Sequence, residues 1–154
     1  AGGVVATLFM SLFLTGKMDV TMAINGAIAG LVSITADPLS PTGGTAVLVG
    51  ALGGALVYVS ILFLEKKGID DPVGAISAHG TVGIYGVLVV SLTGGADFLG
   101  QLTGVAMIAA FTYIASLGVI YAINFVMPIR ATDEEQDAGL DISEVGIEAY
   151  PEFD

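Results

Sequence analysis

The sequence predicts an all-α integral membrane protein, a bundle of transmembrane helices followed by an acidic tail. Three observations carry that prediction. Of 154 residues, 55% are hydrophobic and only 12% charged, and the mean hydropathy is +0.89. Ordinary soluble domains carry about 25% charged residues, and so little polar surface could not coat a water-exposed shell. The apolar residues fall in five stretches separated by short breaker segments. All four basic residues fall in segments that a five-span chain places on one side of a bilayer. The length is that of one domain at ~150 residues each.

The five stretches, in order, cover about residues 1–14, 21–36, 45–64, 73–93 and 99–127. A helix needs ~20 apolar residues to cross a ~30 Å hydrocarbon slab at ~1.5 Å per residue. The third, fourth and fifth meet that length. The second is marginal without its flanks, and the first is too short as it stands. The chain opens at Ala1 inside an apolar run with no basic region before it, unlike a signal peptide. That start reads as the end of a longer helix in a larger membrane protein. The runs are apolar on all sides and longer than the ~10-residue alternating strands of a β-barrel, which argues against that architecture.

The connections are segments 15–19, 37–44, 65–72 and 94–97, rich in Gly, Pro and charge, as expected where helices end at a bilayer surface. Lys17 lies in the first, Lys66 and Lys67 in the third, and Arg130 follows the fifth span. The other two connections have no basic residue. By the positive-inside rule the basic side is cytoplasmic, which makes this a multi-pass cell-membrane protein with its tail in the cytoplasm.

The net charge of −11 is unevenly spread. Residues 128–154 hold Arg130 and nine acids, or −8, against three Lys and six acids, or −3, in residues 1–127. Two regions follow, a transmembrane bundle over 1–127 and an acidic tail over 128–154. Neither offers the basic patch that nucleic acid needs. There is no Cys, hence no disulfide, thiolate ligand or Cys nucleophile. No nucleophile–base set or cofactor motif is present, so the expectation is a non-enzyme without cofactor or metal.

Gly is abundant, at 22 residues. Gly26 and Gly30, and Gly50 and Gly54, form small-xxx-small pairs that let helix backbones approach closely in lipid. Gly80, Gly83 and Gly86 form a smooth stripe in the fourth span. Tight packing and room for a permeating solute are both open readings of these glycines. Asn25, Ser33, Thr35, Tyr58, Tyr85, Tyr113, Tyr121 and Asn124 lie in or near spans and are expected to bond between helices or anchor at the interface.

His79 is the only His and sits about six residues into the fourth span. An ionisable group at that depth is expensive and commonly marks a pathway or proton relay, and imidazole both donates and accepts near neutral pH. A hydrogen bond to a facing helix is the alternative. Before this span, Asp71 suits a helix cap and Pro72 a first helical turn.

These residues resemble the ammonium transporter family (Amt/Mep/Rh). Residues 70–83 (DDPVGAISAHGTVG) are similar to the segment leading into that family's tenth helix, residues 26–35 (GAIAGLVSIT) to its eighth, and residues 139–150 (GLDISEVGIEAY) to its cytoplasmic tail. Val145 stands where the family often has His, and Gly74 where some members carry Asp. The resemblance implies an ammonium-transporter-like bundle with five of eleven helices present, helices seven to eleven. The family's two inverted five-helix repeats are followed by a final helix. It implies a homotrimer whose protomers each pass ammonium as ammonia through an apolar pore. His79 then matches the second of two pore histidines, with Asp71, Gly80 and Gly83 supporting the pore helix. Gly139, Asp141, Gly146 and Tyr150 belong to a regulatory tail, where a PII-type signal protein binds related transporters. The rival from another class is an ammonium sensor or a structural membrane subunit without turnover; a Rhesus-type gas channel is a nearer variant.

Overall fold

The computed structural model describes residues 1–148. The chain divides into two compact units, residues 1–107 and 108–154. Every regular element among the described residues is helical, as the composition and the length of the apolar runs predict.

The first unit holds α1 (Gly2–Thr15), α2 (Val20–Ile34), α3 (Gly43–Lys66), a π-helical segment (Ile76–Thr81), α4 (Val82–Thr93) and the start of α5 (Phe98–Val126). The π-helical segment and α4 form one continuous apolar helix, Ile76–Thr93. This helix, α3 and α5 are long and apolar enough to cross a membrane, whereas α1 and α2 are shorter. Local chemistry sets the ends. Gly16, with φ 76°, takes the left-handed conformation that stops α1 without a Cβ penalty. Asp19 accepts from the Met22 N–H at 3.0 Å to open α2, and Thr42 accepts from the Thr45 N–H at 3.3 Å to open α3, each satisfying an N–H that the first turn leaves free.

Helices α1, α2 and α3 pack on one another, and α2 and α3 also pack on the π-helical segment and α4. Glycines make the first contact possible. A Cβ on Gly3 would run into the Gly26 carbonyl, and one on Gly54 would lie 2.5 Å from the Gly3 carbonyl oxygen. Gly30 and Gly50 face each other across α2 and α3, a Cβ on Gly50 meeting the Gly30 Cα at 3.5 Å. Both small-xxx-small pairs therefore serve packing, with Gly3 of α1 wedged between them. The main buried apolar cluster is small: Ala29, Val57, Ile61, Ala78 and Val82, flanked by Met22, Ile28, Val32, Leu56 and Tyr85, with Val49 and Tyr58 also buried.

Most of the polar side chains in these helices bond locally rather than across helices. Ser33 Oγ donates to the Ala29 carbonyl at 2.6 Å, Thr35 Oγ1 to Leu31 at 2.7 Å and Asn25 Nδ2 to Thr21 at 3.2 Å. The reason is that a short side chain in apolar surroundings finds its own preceding turn first. Tyr85 is one of the exceptions, its hydroxyl donating to the Val49 carbonyl of α3 at 3.2 Å.

In the second unit, α5 continues to Val126 and buries none of its residues. After it, α6 (Asp133–Ala138) opens with a complete capping box. Thr132 Oγ1 accepts from the Glu135 N–H at 3.3 Å while Glu135 Oε2 accepts from the Thr132 N–H at 2.8 Å. Gly139 ends α6 with φ 92°, and Gly146, with φ 72°, ends a short π-helical turn, Asp141–Val145. Both glycines thus stand at helix stops.

Candidate functional site

The region around His79 is built by an interrupted entry into the fourth apolar helix. The chain does not become helical at Pro72. Instead Asp71 to Gly74 form a turn, closed by the Gly74 N–H donating to the Asp71 carbonyl at 3.0 Å. Gly74 has φ 71°, a backbone state closed to helix propagation and tolerated by glycine. A Cβ there would also lie 2.6 Å from Asn25 Oδ1. That oxygen is buried without a hydrogen-bond partner among the described residues.

After a first turn closed by the Ala78 N–H donating to the Gly74 carbonyl at 2.8 Å, the winding takes π register from Ile76. The Asp71 carboxylate reaches forward to it. Its Oδ1 accepts from the Ile76 N–H at 3.0 Å and its Oδ2 from the Ser77 N–H at 3.1 Å. Two of the first-turn donors are thereby satisfied by a charged acceptor at the positive end of the helix. His79 lies three residues past this start rather than six residues into a longer helix.

Ser77 and Ala78 are buried, and so is Val82. His79 and Gly80, between them, are exposed. The alternation follows from winding: residues one turn apart share the face against α2 and α3, and those half a turn away point outward. A Cβ on Gly80 would meet only Ile76 Cγ2 at 3.9 Å, and one on Gly83 only Val32 Cγ1 at 3.9 Å. The stripe of three glycines is therefore split. Gly86 is the member at close approach, a Cβ there lying 3.0 Å from the Val32 and Ser33 carbonyl oxygens, whereas a Cβ on Gly80 or Gly83 would make only ordinary van der Waals contact.

A hydroxyl cluster backs the π-helical segment, and it was not singled out by sequence. Ser60 Oγ of α3 donates to Ser77 Oγ at 3.0 Å and stands 3.0 Å from Thr81 Oγ1. A serine hydroxyl has one proton, so with that proton given to Ser77 it accepts from Thr81. The available signal was two hydroxyls four residues apart flanking the only histidine, which places both on the face opposite it.

Among the described residues no group of three or more His, Cys, Asp or Glu could hold a metal ion. In the tail, the two Thr132 hydrogen bonds hold the Glu135 carboxyl below its ordinary range, the backbone N–H contributing most and the hydroxyl less. Gly139, Asp141 and Gly146 gather in one short stretch. Ser143 Oγ donates to the Gly139 carbonyl at 3.1 Å and the Gly146 N–H to Ile142 at 3.0 Å. Tyr150 lies outside the described residues.

Comparison with known proteins places this architecture. The model of the Ammonium Transporter Family matches residues 1–150. The chain is 36% identical to ammonium transporter Amt1 of Haloferax mediterranei over 98% of its own length and 30% of that protein's. It is 34% identical to ammonium transporter Amt2 of Methanocaldococcus jannaschii over 99% of its length and 37% of the relative's. With the ammonium transporter of Bacillus subtilis it shares 31% identity over 97% of its length and 41% of the relative's. The chain thus spans between about three-tenths and two-fifths of the length of these curated relatives. Coverage of this chain is nearly complete in each, and it belongs to the ammonium transporter family.

Proposed function

We propose that this chain forms part of a membrane transporter that carries ammonium as ammonia past His79. One observation supports the reading above the others. The chain's one imidazole lies in these apolar runs, and it stands exposed on an apolar helix whose opposite face is packed and hydrogen-bonded. Ammonium as an ion cannot cheaply enter an apolar passage. It is recognised outside, gives up its proton near His79 and crosses as the neutral base. The imidazole assists by accepting from ammonia or by passing a proton on. Asp71 holds the start of the helix, and Gly80 and Gly83 keep side chains away from the ring.

In the same reading residues 1–127 form the membrane body and 128–154 a cytoplasmic tail. Protomers assemble as homotrimers in the cell membrane, and Gly139, Asp141, Gly146 and Tyr150 belong to a regulatory tail that a PII-type signal protein can bind. The test is flux of ammonium and of charge into vesicles containing the complete protein. His79→Ala is expected to lower flux or to alter the charge moved per ammonium. Unaltered flux and charge would refute the role of the ring, and binding without any turnover by the parent would mark a sensor.

A further inference from the structure

We propose that Ser60 is a positioning residue for His79, acting through its hydrogen bonds to Ser77 and Thr81. The proposal rests on the reading of His79 given above. Three observations lead to it.

The first is the winding. Residues Ile76–Thr81 form a π-helical segment, a rare state that occurs mostly as single turns inside α-helices and frequently at functional sites. An α-helix is the default for an apolar run, so the register must be held from outside. The second is where the holding groups sit. Asp71 pins the beginning through Ile76 and Ser77. The Ser60 hydroxyl pins the two ends of the turn that contains His79, with both oxygens at 3.0 Å. The third is direction. Ser77 is fully buried and Ser60 is 8% exposed, so the clamp is dry on the α3 side. His79 lies midway between the clamped residues and is exposed on the other side.

The consequence is mechanical. An α-helical residue turns the chain by roughly 100°, and a π-helical one by less. If the segment rewound as an α-helix, the ring, three steps past Ile76, would be re-aimed by tens of degrees. A buried hydroxyl cluster resists that rewinding, because the new register would leave polar atoms of Ser60, Ser77 or Thr81 unpaired in apolar surroundings. Ser60 never touches the ring; it sets the direction in which the ring points.

The experiment measures ammonium flux and charge moved per ammonium in vesicles carrying the complete protein, for the parent, Ser60→Ala, Ser60→Thr and His79→Ala. Ser60→Ala is expected to lower flux by about three- to tenfold, the scale of one lost buried hydrogen bond, and to shift the charge per ammonium in the direction set by His79→Ala. Ser60→Thr, which keeps the hydroxyl, is expected to stay within about twofold of the parent on the same scale. If Ser60→Ala does not assemble, Thr81→Val carries the same expectation, because it removes the proton that Ser60 accepts. The proposal is overturned if Ser60→Ala leaves both readouts unaltered, lowers flux with the charge ratio intact where His79→Ala changes that ratio, or is not rescued by threonine. An effect of His79→Ala with none from Ser60→Ala would sink the clamp alone, whereas no effect of His79→Ala would sink the reading beneath it.

Discussion

Gly54→Ala adds one methyl group at the point where α3 meets α1. The new Cβ would lie 2.5 Å from the Gly3 carbonyl oxygen, 2.7 Å from its Cα and 2.9 Å from its carbonyl carbon. All three are backbone atoms, so no side chain can swing aside. Ordinary contact begins near 3.4 Å, which requires α1 and α3 to separate by about 0.9 Å locally. Gly3 also abuts Gly26 and the backbone at Gly30, and the opening therefore disturbs the α1–α2 contact too. Overpacking of this kind costs about 1–3 kcal/mol, and three backbone clashes put it at the upper end. Alanine recovers about 1 kcal/mol of helix propensity over glycine. The net expectation is a loss of about 2 kcal/mol, or roughly thirtyfold in the folding equilibrium. Gly104→Ala in α5 is the control, since a Cβ there meets nothing within 4 Å in this chain. Reversible unfolding of the purified protein in mixed micelles, followed by circular dichroism, reads both. Equal or greater stability of Gly54→Ala, with Gly104→Ala behaving alike, would show that the glycines of α1–α3 are not at contact.

Two other outcomes follow from the polar termini. Asp71→Ala removes both acceptors from the Ile76 and Ser77 N–H groups and is expected to cost about 1–2 kcal/mol. Asp71→Asn, with one oxygen left, should fall between, and micelle unfolding midpoints that do not move would contradict the cap. In the tail, the Glu135 carboxyl titrates below its ordinary 4.5 when the box is formed. A lowered folded value means the box is fully favoured above the ordinary value and is lost as pH falls through the lowered one. The Cα chemical shifts of residues 133–138 in the intact protein should therefore stay helical at neutral pH and drift toward coil only in acid, and Glu135→Gln should abolish that drift. A drift toward coil on raising the pH would reverse the sign and refute the assignment.

Much of the helical layout could be read along the chain. Gly16, Asp19, Thr42, Thr132 and Gly139 act on groups within a few residues, so each start or stop is visible in a short window. The entry to the fourth apolar helix was harder, because Pro72 suits a first turn and Asp71 a cap in isolation. What changes the outcome is Gly74 beside Asn25, a contact between residues far apart in sequence. The histidine was legible as a singularity of composition, but its direction was not. Ser60 gave no local signal, since one serine in an apolar helix ordinarily bonds its own preceding turn, as Ser33 does.

The amino-acid order alone determines that this is a set of apolar helices with an acidic end, because hydrophobicity, breakers and charge are properties of each segment by itself. Only tertiary contact decides which glycines touch, that the fourth apolar helix begins in π register, and that the ring of His79 faces away from the packed side. Those outcomes depend on atoms brought together across 17 and 21 residues at the hydroxyl cluster and across longer spans at the glycines. The energy of such contacts exists only once separate helices have met.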